Sequence, residues 1–484
     1  MRRLCRLAVA AATRLRPTAV RHNADATTVT LELRALKARC EALESEVKVL
    51  SDAAQTHRLI EFFSSLQRTR LRLEEIVEKC QDPTYRPCIF VHRELPVIFA
   101  QLVMLIDKMP SGLFAMQSVR KVRRTLTDSF LKVTEAAVPV TPDEEKAFLK
   151  IVMARDEAHE SVVEDMALGV RELRQLLAKH RVALGPSHAQ MMLRRKTLDS
   201  NIEFQAYLDA FYLLFLRGKF LMRQLVDLMD ARNNDKDVVG VVNTRCDLVE
   251  VCKNAIAKAE QICNQEVGDC PDIQLQTDGV ESECAHLSDH LQYIVVELLK
   301  NALRATIEQH MERNDCGLVR CDNMPPVVVR ISAGDQADYA TITVCDEGGG
   351  IARRDMGKIM CYTFTTANWK KSGINTAAPE PRGGGAGAKV GAMGDEDNTP
   401  TALAGYGYGL PMSRIYARMF GGDVMVASVE GFGTNAHLHV RRSNATVPLA
   451  QRLTEDARID RIDVAALVAE RIAALPLAGD VDEE

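Results

Sequence analysis

Among 13 cysteines, scattered from Cys5 to Cys361, no two form a Cys-x-x-Cys pair. A zinc site or a disulfide framework is therefore not expected, and reduced thiols in a large intracellular protein suffice. No Gly-Lys-Ser/Thr occurs, so the chain has no Walker loop. No unbroken apolar run approaches the roughly eighteen residues of a membrane span, so none is expected. Aromatics are sparse at 5%, with Trp369 the single tryptophan. The net charge of −5 gives no global basic field for nucleic acid. Short basic clusters such as 120–124 and 194–196 read as helix faces. No acid precedes Asp25, whereas Arg2, Arg3, Arg6, Arg14, Arg16 and Arg21 are interleaved with Ala, Leu and Val. Spread arginines without a long apolar core predict a mitochondrial transit peptide over 1–26.

At 484 residues the chain has room for two or three domains with sizeable cores. Leu33, Leu36, Cys40, Leu43, Val47, Leu50 and Ala54 keep heptad spacing, so 27–56 reads as a short coiled coil or an ordinary amphipathic helix. Residues 57–235 carry helical periodicity broken at Asp82-Pro83, Met109 to Gly112, Val138 to Pro142 and Gly185-Pro186. That predicts about four long helices in an up-down bundle. From 236 to 445 short β-branched runs alternate with helices. The predicted class is therefore α+β, a helical bundle followed by an α/β sandwich. Within the second part, 362–404 is expected to be a mobile lid, because 372–400 is Gly- and Ala-rich with little apolar surface. A tail over 446–484 looks helical from Asp463 to Ala474.

The motifs that carry chemistry begin in a predicted helix, Leu291 to Glu308. On it Glu297, Asn301 and Arg304 fall on one stripe with Lys300 beside them. A carboxylate, an amide and two cations suit a proton-accepting base, magnesium and phosphate; a plain solvated helix face is the competing reading. The alternating run Thr341 to Cys345 predicts a strand that ends in Asp346-Glu347-Gly348-Gly349-Gly350. There Asp346 is placed to accept the exocyclic amine of adenine, with Gly348 and Gly350 allowing close backbone approach. Gly405, Tyr406, Gly407, Tyr408, Gly409 and Leu410 then precede an apolar helix from Pro411 to Phe420, a geometry that presents N–H groups to phosphate. Finally Gly431-Phe432-Gly433-Thr434 leads into another strand.

In this order the motifs resemble the Bergerat-fold (GHKL) ATPases: gyrase, MutL-type proteins, chaperone ATPases and bacterial histidine kinases. Local sequence narrows the resemblance. Residues 297–306, Tyr362 to Ala367, and Leu403 to Pro411 with Ser413-Arg414 and Tyr416-Ala417 resemble the mitochondrial α-keto-acid dehydrogenase kinases. So do Arg93-Glu94-Leu95-Pro96-Val97 and Leu208-Asp209-Ala210-Phe211-Tyr212 in the bundle, so the likeness spans about 57–442. Phe364-Thr365-Thr366, and Tyr293 where the pyruvate subgroup usually has His, bring it slightly nearer to the branched-chain kinase.

The resemblance implies a protein serine kinase that uses ATP and Mg²⁺, with K⁺ a further candidate. Glu297 would be the general base, Asn301 the metal ligand, and Lys300 and Arg304 charges beside the phosphates. Thr365, Thr366 and Thr434 would also contact the nucleotide, and 405–410 would wrap its phosphates. The implied partners are the E1 component and the lipoyl-bearing E2 core of a keto-acid dehydrogenase complex in the mitochondrial matrix, with the kinase a homodimer. Two other readings stand beside it. One is an autophosphorylating histidine kinase, with His290, His159, His180 or His188 as acceptor; the other is an ATP-driven switch without kinase activity.

Overall fold

The computed structural model describes residues 53–69, 73–82, 84–183, 202–230, 236–277, 283–314, 324–333, 338–362, 364 and 407–442. The presequence, most of the heptad segment, the Gly/Ala-rich stretch and the C-terminal tail lie outside these. The chain divides into two compact units, one ending at Phe63 and one beginning at Ser64. The described part of the first, 53–63, is helical.

In the second unit the first half is all helix: α1 (Leu73–Gln81), α2 (Pro87–Asp107), α3 (Gln117–Glu135), α4 (Pro142–Ala158), α5 (Val162–Ala183) and α6 (Ile202–Met229). In α3, Val119, Val122, Leu126, Phe130 and Val133 recur every three or four residues and all are buried. Such a stripe holds a surface helix to its core. Packing joins α2 to α3 and α6, α3 to α5, and α4 to α6, a bundle as expected. There are more helices than the four expected, because Leu73–Gln81 forms a separate short helix and residues 143–184 divide in two. The break at His159–Ser161 contains neither Pro nor Gly; α4 ends where His159 turns inward and bonds Ser129 Oγ at 2.8 Å. Pro142, read as part of a break, is instead a helix start. Thr141 caps α4, with Glu144 completing a capping box, and proline is compatible with the first helical turn. By length and mean hydropathy α2 alone among the described helices is apolar enough to cross a membrane. However, 12 of its residues, including Glu94, are buried within the protein, which marks a core helix.

The second half carries β1 (Val238–Val239), β2 (Val242–Asp247), α7 (Leu248–Val267), β3 (Ile273–Thr277), β4 (Glu283–His286), α8 (Ser288–Asn314), β5 (Val327–Ala333), β6 (Tyr339–Asp346), α9 (Gly409–Met419), β7 (Asp423–Val429) and β8 (Gly433–Arg441). The main sheet runs β3-β5-β6-β8-β7, parallel at β3-β5 and antiparallel elsewhere. A small sheet, β1-β2-β4, stands apart. The expected pairing of Val327–Ile331 with Ala340–Val344 is present as an antiparallel pair. Helices α7, α8 and α9 cover the main sheet, with Leu299, Leu303, Val329, Ile342 and Leu438 in one continuous core. Alternation along β5, β6 and β8 supplies that apolar face, as period 2 requires.

Candidate functional site

The helix stripe read from sequence is real but largely withdrawn from water. Glu297 is only 7% exposed, and Lys300, Asn301 and Arg304 are half-buried. That burial excludes a solvated face. Lys300 Nζ donates to Glu297 Oε1 at 2.7 Å. The second carboxylate oxygen lies against Gly409, where a Cβ would overlap Glu297 Oε2. The carboxylate is thus held by an ammonium on one oxygen and fitted against the first residue of α9 on the other. Arg304 is less committed. Its Nε makes no hydrogen bond among the described residues, and its ion-pair contact with Glu308 is 3.9 Å long. Such a cation is available to an added anion.

α9 opens without a side-chain cap or an acid in its first turn. By contrast α7 is capped by Asp247 and α4 by Thr141. The first N–H groups of a helix have no partner within it, and its dipole attracts negative charge. An uncapped start against the Glu297 carboxylate that Lys300 neutralises therefore suits phosphate. Gly407 has a positive φ of 73° and lies so near Phe364 O that any side chain would collide. Tyr408 turns its ring fully into the interior, away from the loop surface, and Leu410 packs partly into the core.

Asp346 ends β6 opposite Thr434 on β8. Burial pushes its carboxyl pKa up, opposed by the Gly348 and Thr434 N–H groups. Gly348 N–H donates to Asp346 Oδ1 at 2.9 Å, and the remaining acceptor capacity suits a ligand amine. The glycines after Asp346 have a reason other than close approach to a ligand. A Cβ at Gly348 would fall 2.6 Å from Ala305 Cβ on α8. At Gly349 and Gly350, both at positive φ, it would strike Gln309 and Val429 O. The loop is clamped between α8 and the β7-β8 hairpin. Ser428 joins that clamp by accepting from Ile351 N–H at 2.8 Å and meeting Thr434 Oγ1 at 3.0 Å.

The structure brings Glu297, Lys300 and Gly409 together and pairs Asp346 with Thr434. Thr365, Thr366, Gly405 and Tyr406 lie outside the described residues. Of the histidines read as alternative acceptors, His159 and His290 are buried. Desolvation holds both near pKa 3, aided at His159 by Lys219 and Arg155 and at His290 by His286 and Arg223. The sequence reading missed Gln309 and Ser428, whose roles depend on contacts far along the chain and leave no local signal.

Comparison with known proteins follows the same division. Residues 70–243 match the family model of the mitochondrial branched-chain alpha-ketoacid dehydrogenase kinase. Residues 286–444 match that of the histidine kinase-, DNA gyrase B- and HSP90-like ATPases. A mitochondrial [pyruvate dehydrogenase (acetyl-transferring)] kinase of Arabidopsis thaliana is 33% identical over 384 residues, covering 78% of this chain and 91% of its own. The Drosophila melanogaster kinase of the same name is 28% identical over 404 residues, covering 81% of this chain and 86% of its own. Isozyme 4 of Homo sapiens is 27% identical over 406 residues, again 81% and 86%. The chain belongs to the mitochondrial dehydrogenase kinase family. It is a protein-serine kinase that uses ATP, and the dehydrogenase kinase family sets how the cleft is read. The bundle helices up to α6 fall within the first match, and α8, β6 and α9 fall within the second. A histidine kinase reading loses its support.

Proposed function

We propose that this kinase transfers the γ-phosphate of Mg-ATP to a serine on the E1 component of a keto-acid dehydrogenase complex in the mitochondrial matrix, inhibiting that complex. The observation that carries this reading is the seating of Glu297 between Lys300 and Gly409. It puts a carboxylate beside the uncapped start of a helix, where an acceptor hydroxyl and a terminal phosphate would meet. Glu297 takes or orients the hydroxyl proton. Lys300 holds Glu297 in place, and Arg304 and the α9 N–H groups carry charge that develops on the phosphoryl oxygens. Asp346 accepts the adenine amine, and Thr434 flanks it. Thr365, Thr366 and the residues from Gly405 to Leu410 complete the contacts by resemblance.

Magnesium fits the donors present: Asn301 offers a neutral amide oxygen on the same stripe as Glu297, a hard ligand of the kind the ion prefers. When bound, the ion neutralises phosphate charge, with phosphates and water completing its shell.

The relatives' names favour the pyruvate complex, whereas Tyr293 and Phe364 favour the branched-chain one. The kinase would act as a homodimer docked on the lipoyl-bearing E2 core. The test incubates purified kinase with labelled Mg-ATP and each E1 separately. Acid-stable phosphate on a serine of one E1 supports the reading and names the complex. Intact ATP turnover with no label on either E1 refutes it in favour of an ATP-driven switch.

A further inference from the structure

The family resemblance at Leu208 to Tyr212 and at Tyr362 marks two segments about 150 residues apart. In the structure they meet. Tyr362 is fully buried and touches α6 twice. Its N–H donates to Gln205 Oε1 at 2.9 Å, and its hydroxyl donates to Asp209 Oδ1 at 2.9 Å. Gln205 and Asp209 are themselves buried, at 1% and 6% exposure. A buried amide and a buried carboxylate thus point out of a bundle helix at one residue of the nucleotide domain. Bonds to a charged acceptor are roughly twice as strong as neutral ones.

The contact continues towards the cleft. The Tyr362 ring packs 5.4 Å from that of Tyr408, and Tyr212 of α6 sits 5.1 Å from Tyr362 and 6.1 Å from Tyr408. All three rings are fully buried. Tyr408 immediately precedes α9, Gly407 presses on Phe364 O, and Gly409 presses on Glu297. Every step from Asp209 to Glu297 is therefore a direct contact.

We propose that Tyr362, latched to Gln205 and Asp209, is a positioning residue that holds the start of α9 in the geometry that receives the nucleotide phosphates. The proposal rests on the reading of this cleft as an ATP site. Loss of the latch lets the 361–364 segment drift from α6, Tyr408 loses its backing, and the N–H groups of α9 no longer converge. The effect falls on nucleotide affinity, since neither Tyr362 nor Asp209 touches the reacting atoms.

The test is calorimetric titration of the full chain with Mg-ATP, beside the melting temperature of each variant without nucleotide. Tyr362→Phe removes one oxygen and keeps the ring; Asp209→Leu removes the acceptor; Asp209→Asn retains an acceptor oxygen. The expected result is a Kd for ATP raised about fivefold or more in Tyr362→Phe and Asp209→Leu. Asp209→Asn should return to within about twofold of the parent. Should Asp209→Leu fail to fold, Tyr362→Phe decides alone. Unchanged affinity in Tyr362→Phe overturns the latch, as does failure of Asp209→Asn to restore binding in a folded protein. A parent chain that binds no Mg-ATP refutes the ATP reading instead, so the two failures are distinct.

Discussion

At the scale of single residues, Glu297 concentrates the proposed chemistry. Its identity and helical neighbours are legible in the sequence, because i, i+3 and i+4 spacing fixes what shares a stripe. Its burial is not legible, because the loop that covers it comes more than 100 residues later. Glu297→Gln is expected to cut phosphoryl transfer by about two orders of magnitude or more while ATP affinity stays within a few-fold, as for loss of a general base. Steady-state transfer assays beside calorimetry check both parts. Asn301→Ala should lose magnesium-dependent ATP binding; unchanged Mg-ATP affinity in that variant would remove Asn301 as ligand. Gly409→Ala is the sharper case, since its Cβ would overlap Glu297 Oε2. We expect loss of transfer from a protein that still folds, measured by circular dichroism alongside the assay.

At the scale of elements, α8, β6, α9 and β8 were all readable, because each has a strong period and a glycine or charged boundary. What escaped was set by tertiary contact. The α4-α5 break has no breaker residue and depends on His159 meeting Ser129. The glycines after Asp346 announce a tight place, but only the fold says that α8 and the β7-β8 hairpin make it tight. The Thr141 capping box belongs to α4, which packs on the bundle helices α2, α3 and α6. Thr141→Ala should cost about 1 kcal/mol of stability, read as a lowered denaturant midpoint, with ATP affinity unchanged. Asp423, at the start of β7, receives the Arg414 and Arg418 guanidinium groups of α9 at 2.8–3.3 Å. Burial pushes its carboxyl up, but the two arginines override it and hold it at about 2. Its folded pKa is therefore depressed. The stability it lends is present above pH 4 or so, near the ordinary carboxylate value, and is lost as pH falls through about 2.

At the scale of the molecule, the bundle and the sheet are joined where α6 packs on α9. The two halves and their order are legible in the sequence, but this seam is not, since Asp209 and Tyr362 show there only as marks of family and Gln205 leaves no signal at all. Acid stability is also a property of the whole. His159, His286 and His290 are buried and held near 3, 4 and 3, chiefly by desolvation. Their folded values are depressed, so the unfolded chain binds more protons below about pH 6.5. Stability should fall as pH drops from 6.5 towards 4, by up to about 1.4 kcal/mol per pH unit for each histidine. Urea midpoints at pH 7.5, 6 and 5 check this, and a flat profile would contradict it.

The close fit of Glu297 against Gly409 leaves less than a methyl group of clearance at the floor of the cleft. A side chain at position 409 would displace the end of Glu297, so substitution there acts on the carboxylate as well as on the helix start. Any redesign of acceptor preference must work from the rim, leaving that floor untouched.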